Sequence, residues 1–255
     1  MDTPQLTTKL FRRTQIDAAD LSAVDWTDLA CEEAHFTACT FTNTQFAGTN
    51  LAAARFDNCT FTACRFTRAE LQEASFEACR FLPGAIKTEG CTFTFTNLRA
   101  TRFLRCDLSL ARIERSDLFD ITMDQCTLRG ATFHKLDFSQ AYSRKLITTR
   151  ATFRHCNLEL ADLTQARLPG CDLTGSRLRE ADLTEADLTG AILRDTDLFQ
   201  ATLTNTKLAN ADLRGAEISG LNLGHLATYA GLKISQGQQH ILLDGIGIDV
   251  QIEKE

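Results

Sequence analysis

The chain has 255 residues, 44% of them hydrophobic, and a formal net charge of −6. That is enough apolar side chain for one substantial core. The charge has the wrong sign for a nucleic-acid binder that relies on a basic surface, and no apolar run approaches the roughly 18 residues that a membrane span needs. The opening segment, MDTPQLTTKLFRR, lacks the charged-then-apolar layout of a secretory signal, so a cytoplasmic location is expected. Phenylalanine occurs 17 times and proline 3 times, a balance that suits a long repetitive interior better than a loop-rich globule.

From Ile16 onward an apolar residue recurs every five positions. The series runs through Trp26, Phe36, Phe46, Phe56, Phe66 and Phe76 to Phe81, resumes at Phe93 and continues to Phe138, then runs from Phe153 to Leu223. All thirty-nine of these positions are apolar, whereas the background composition would fill roughly half of them. Two residues before each centre lies a second lattice of small residues, among them Ala34, Cys39, Thr44, Cys59, Cys64, Ala74 and Ala181. Positions i−2 and i share one side of an extended chain, so each quintet predicts a short extended stretch followed by a corner. Position i−1 is often acidic, as at Asp107, Asp162, Asp182 and Asp197, and is expected to point outward into solvent.

The run ADLTEADLTG at 181–190 carries an A-[DN]-L-x-x signature and resembles the pentapeptide-repeat family. The resemblance covers about residues 16–223. It implies an all-β fold, a right-handed quadrilateral parallel β-helix with four five-residue faces per coil, hence about 20 residues per turn and roughly ten coils. Residues 1–223 are then one solenoid with loops at 82–90 and 139–150, and 224–255 form a C-terminal cap and dimerisation segment.

Two interruptions break the pattern. LPGAIKTEG at 82–90 shifts the frame, because Phe93 comes twelve positions after Phe81 and not ten, and Pro83-Gly84 and Gly90 bracket it as turn formers. SQAYSRKLITTR at 139–150 keeps the frame, so Ser143 and Thr148 are the expected centres, yet Tyr142, Leu146 and Ile147 place apolar bulk off-register. Such a segment either bulges out or packs irregularly. Charge is uneven as well: residues 93–152 carry ten basic and six acidic side chains, and every other stretch of the chain is net acidic. Beyond Leu223, Ser235 and Gln238 form an S-x-x-Q capping box that opens a short helix. Ile241, Leu242 and Leu243 lie inside it and Gly245 stops it. Ile246, Ile248, Val250 and Ile252 then alternate like a strand. The helix would cover the open solenoid end, and the alternating tail suggests a partner chain.

Nine of the ten cysteines occupy the small i−2 slot and Cys31 a centre, with no C-x-x-C. They are expected to act as small buried hydrophobes, held reduced in the cytosol. His35, His134, His155, His225 and His240 are scattered, and no nucleophile, zinc or phosphate-loop motif occurs. Neither catalysis nor a cofactor or metal is expected.

The flanks CRF at 79–81 and GCTF at 90–93, CDLSLA at 106–111, ITTR at 147–150 and the ending from Leu242 to Val250 are similar to the Qnr-type quinolone-resistance subset of the family. That resemblance implies a cytoplasmic homodimer joined through the C-terminus by Ile241, Leu242, Ile246, Ile248 and Val250. It further implies a protein that binds DNA gyrase, and topoisomerase IV as well, and protects the topoisomerase from quinolones or peptide toxins through a DNA-like rod and projecting loops. The loop residues for partner binding are Leu82, Pro83, Ile86, Lys87, Tyr142, Arg144, Lys145, Leu146, Ile147, Thr148, Thr149 and Arg150. Direct nucleic-acid binding is not expected. The alternative is a repeat scaffold for an unrelated protein partner, which would have no need of loops.

Overall fold

A side chain every five residues returns to the same lateral position when four quintets close one turn, and the strand register shows that closure. Phe36 pairs with Phe56 and Phe56 with Phe76, each twenty residues on. The structure, a computed structural model, describes residues 12–84, 90–141 and 147–249. The chain forms two units, Met1–Thr127 and Leu128–Glu255, and each is a parallel β-solenoid.

In the first unit, one face stacks the strands Gln15–Asp17, His35–Thr37, Arg55–Asp57, Ser75–Glu77, Arg102–Leu104 and Ile121–Asp124, all parallel. A second face holds Thr40–Thr42, Thr60–Thr62 and Arg80–Leu82. A third holds Gln45–Ala47, Arg65–Thr67, Thr92–Thr94 and Arg112–Glu114. The fourth is joined by single bridges from Ala30 through Asn50, Glu70 and Asn97 to Asp117.

The centres of each face form a column inside the tube. Phe36, Phe56, Phe76 and Phe103 stack face to face at 4.9, 4.7 and 4.8 Å between centroids. Phe41, Phe61 and Phe81 repeat this at 4.7 Å, and Phe46, Phe66 and Phe93 at 4.5 and 4.6 Å. Such pairs contribute about 0.5–1.5 kcal/mol each beyond the burial itself. Neighbouring columns meet edge to face, as Phe56 meets Phe61 at 5.5 Å. Trp26 begins the third column, 5.1 Å above Phe46, and bonds its indole N–H to the Leu21 carbonyl.

The small i−2 slot does more than fill space. The thiols of Cys59, Cys64, Cys79 and Cys106 donate to the carbonyls of Phe36, Phe41, Phe56 and Phe76 at 3.2–3.3 Å. Thr49 and Thr96 do the same to Trp26 and Phe66. All ten cysteines are buried and none forms a disulfide, as expected. Burial pushes the Cys31 and Cys171 thiols up to about 12, so both are protonated at neutral pH.

In the second unit Phe133, Phe138 and Phe153 are followed by leucine at nearly every centre, and most quintets close as hydrogen-bonded turns. The carbonyls of Leu163, Leu178, Leu183 and Leu188 accept the N–H three residues on, at 2.9–3.1 Å. Single bridges link the coils, for example Asp162 to Asp182 and Asp182 to Thr202.

The acidic i−1 residues are not merely solvated. Asp162, Asp172, Asp182 and Asp187 each accept the backbone N–H two residues on, at 2.9–3.1 Å. The carboxylate thus closes the corner as an Asx turn, which is why Asp and Asn recur there. Asp212 is 5% exposed. Its carboxylate meets Arg214 at 2.7 and 2.8 Å and Arg194 at 2.7 Å. Those guanidiniums, Arg214 first, hold it well below the usual carboxylate range.

Candidate functional site

The two interruptions leave the solenoid differently. After the strand Arg80–Leu82, the frame resumes with Thr92 paired to Arg65, twenty-seven positions apart instead of twenty, so the excursion inserts seven residues. Leu82 stays on the coil, half-buried and paired with Thr62, and Pro83 is half-buried beside it. At the return, Gly90 donates to the Leu110 carbonyl at 3.0 Å. A Cβ at Gly90 would lie 2.7 Å from that carbonyl, so only glycine permits the approach. Ile86 and Lys87 lie outside the described residues.

The second interruption corrects the expected frame. Asp137 bridges to Arg167 and Thr152 to Asp172, which puts Phe138 and Phe153 on successive faces of one coil. The coil therefore closes with ten residues more than a quintet between these centres, and Thr148 is not a centre, while Ser143 lies outside the described residues. Thr148 instead faces Gln140 in an antiparallel hairpin made by Ser139–Ala141 and Ile147–Thr149, with Ser139 opposite Thr149. The Asp137 carboxylate anchors its base, accepting the Ser139 N–H at 2.9 Å and meeting Arg167 at 3.1 Å. Thr148 and Thr149 are half-buried and Arg150 is exposed. The backbone of Ile147 is in the hairpin, while its side chain and Tyr142, Arg144, Lys145 and Leu146 lie outside the described residues.

At the C-terminal end the helix forms as expected, a 3-10 turn Gln236–Gln238 followed by Gln239–Gly245. Gln238 was legible only as a cap residue, but it does a second job. Its Oε1 accepts the Ser235 N–H at 2.7 Å, while its amide donates to the carbonyls of Leu213 and Ala216 at 2.8 Å. The last coil's open backbone is satisfied in this way. Leu242 is 7% exposed in the single chain, so it packs on its own unit and offers little surface to another. Ile241 is half-buried. Ile246 and Ile248 are 45% and 49% exposed. The strand expected from 246 is absent over its described part: Ile246 and Gly247 form a turn, and the Ile248 N–H returns to the Leu243 carbonyl at 2.8 Å. Val250 lies outside the described residues. Among the described residues, no group of three or more His, Cys, Asp or Glu side chains is placed to hold a metal ion. No helix there is long and apolar enough to cross a membrane.

Solenoid and repeat together define the class. The pentapeptide-repeat profile matches residues 14–51, 106–142, 156–195 and 191–225, and a pentapeptide-repeat-region profile matches 34–112. The chain belongs to the pentapeptide-repeat family. Among solved structures, a trypsin-treated variant of QnrB1, a plasmid-mediated fluoroquinolone resistance protein, superposes with a TM-score of 0.71 at 23% identity, covering 86% of this chain and 100% of that one. Full-length QnrB1 gives 0.62 at 23% identity with the same coverage. A second trypsin-treated variant gives 0.56 at 22%, covering 93% and 97%. No curated protein sequence matches the chain.

Proposed function

We propose that this protein acts by binding and not by catalysis, and that its partner is DNA gyrase, with topoisomerase IV as a second target. In this reading it protects the topoisomerase from a poison such as a quinolone or a peptide toxin. The observation that carries the proposal is the antiparallel pair Ser139–Ala141 and Ile147–Thr149, in a coil that closes with ten residues more than a quintet between Phe138 and Phe153. A segment that adds nothing to the solenoid's packing needs another reason to exist. The shared fold of QnrB1 supports the choice of partner, and a repeat that served only as a scaffold would have no use for the hairpin. The exposed Ile246 and Ile248 support pairing of two chains through the C-terminal segment.

The test is a gyrase supercoiling assay with and without ciprofloxacin. Deleting residues 141–150 leaves Ser139, Gln140, Ala151 and Thr152 between Phe138 and Phe153, which is one regular quintet. Replacing 139–150 with two regular quintets would instead leave Phe138 and Phe153 thirteen positions apart, which breaks the five-residue frame. The deletion is expected to fold, to sediment as a dimer like the parent and to lose protection. Deleting 84–90 restores the phase at the first loop and is expected to give a smaller defect. Undiminished protection by a folded chain lacking both excursions would remove the loops from the mechanism, and a monomeric parent would remove the C-terminal pairing.

A further inference from the structure

Phe95 occupies a position that the repeat gives it no structural reason to hold. Two residues past a centre the chain turns a corner with positive φ, and most such positions carry Ala, Asn, Gly or a charged residue. Phe95 adopts φ 55° there and leaves 47% of its surface exposed. The left-handed backbone is unfavourable for a residue with a Cβ, and an exposed ring forgoes the gain of burial.

Its neighbours on the same corner are Arg68 one coil before and Arg115 one coil after, as the register of Thr67, Thr94 and Glu114 shows. Their guanidinium carbons lie 5.9 and 5.4 Å from the ring centroid. Both arginines are exposed. Along the adjoining face Arg65 and Arg112 point outward in the same two coils, again exposed. Arg112 bonds Glu114 at 2.9 Å, whereas Arg65, Arg68 and Arg115 make no ion pair among the described residues. Three of these four arginines are thus without an ion pair among the described residues, on a chain whose net charge is −6.

We propose that this arginine–phenylalanine–arginine corner is a docking surface for an acidic helix of a protein partner. Guanidiniums already held against a ring lose less freedom when they grip a carboxylate bidentately. Arg68 and Arg115 are two coil spacings apart, about 10 Å. A helix rises 1.5 Å per residue, so acidic residues at i and i+7 lie about 10.5 Å apart on one face. An apolar residue at i+4 then falls opposite Phe95. Single-stranded nucleic acid fits less well, because a guanidinium stands on each side of the ring where a base would stack, and the chain's overall charge repels a polyanion. The proposal does not depend on the topoisomerase reading, since it uses neither excursion.

Fluorescence anisotropy on the full chain tests it, with a labelled helical peptide carrying Glu at i and i+7 and Leu at i+4. Saturable, salt-sensitive binding is expected. It should weaken by at least about tenfold in Arg68→Glu/Arg115→Glu and by about fivefold in Phe95→Ala, with the melting temperature unchanged. A peptide with its glutamates at i and i+2, which do not share a face, should bind at least about tenfold more weakly than the matched one. If the charge reversal does not fold, Arg68→Gln/Arg115→Gln replaces it with the same expectation. Absence of saturable binding, equal binding of the mismatched peptide, or equal or tighter binding of an oligothymidine that needs the same arginines would overturn the proposal.

Discussion

In Met1–Thr127 phenylalanine dominates the middle coils and three faces are runs of strands of three or four residues, whereas in Leu128–Glu255 leucine dominates and, past the strand Ala151–Arg154, the faces are turns joined by single bridges. Both units have the same repeat length, so the side chain at the centre decides which local structure forms. The first unit contains its own control. Its leucine centres Leu51, Leu71 and Leu108 close as turns, with the N–H three residues on bonded to the centre's carbonyl at 2.9–3.0 Å. A single phenylalanine is not sufficient for a strand, because Phe133 lies in a leucine column and closes a turn at 3.2 Å. Stacked rings line the extended faces of the middle coils, and Ile16, Ile113 and Met123 continue the same faces as strand centres at their ends. Leucine, without a flat partner above and below, lets the chain fold back on itself.

The most disruptive way to break the comparison is Leu188→Asp in the second unit. The side chain is buried and its column offers no partner for a carboxylate. A loss above about 4 kcal/mol is expected in urea unfolding, and retention of the parental midpoint would show that Leu188 does not face inward.

Phe61→Leu sharpens the comparison directly. Phe61 stacks on Phe41 and Phe81 at 4.7 Å on either side, so two ring pairs are lost while a rung of the second unit's kind is gained. The expected cost is about 2 kcal/mol, accompanied by weaker hydrogen-exchange protection over 60–62. Full protection there would mean that the strand does not need the stack.

The smallest effect concerns the second unit's corner chemistry. Because Asp212 has its folded pKa depressed by Arg214 and Arg194, its contribution is present above the unfolded value of about 3.9 and fades as pH falls below it. Asp212→Asn should lower stability by about 1 kcal/mol at pH 7, the arginines being half-exposed. The difference from the parent should shrink below about pH 4. A difference that stayed constant through that range in thermal melts would assign the effect to packing.

Much of this was legible before any coordinates. A centre every five residues from Ile16 to Leu223, small residues two before it and an S-x-x-Q ahead of the last helix all reflect chemistry that acts within a quintet or a turn. Phe95 was not singled out by the repeat, and the sequence alone does not bring Arg68 and Arg115 to it. They are twenty-seven and twenty residues away, and only the stacking of coils makes them neighbours.

The frame of the second interruption shows the same limit. The fifteen-residue spacing from Phe138 to Phe153 fits three quintets on the solenoid as well as one quintet plus ten further residues. What chooses is the pairing of Asp137 with Arg167 and of Thr152 with Asp172, contacts made with later coils. Likewise Ile246 and Ile248 alternate as a strand would, yet the chain turns there because Gly247 takes a positive φ and the Ile248 N–H finds the Leu243 carbonyl. The sequence by itself determined the repeat, its interior and its cap, since each follows from side-chain spacing along the chain. The faces that meet, the residues that leave the coil and the arginines that gather at one corner were decided only in the tertiary structure, because hydrogen bonds between coils fix which quintets lie side by side.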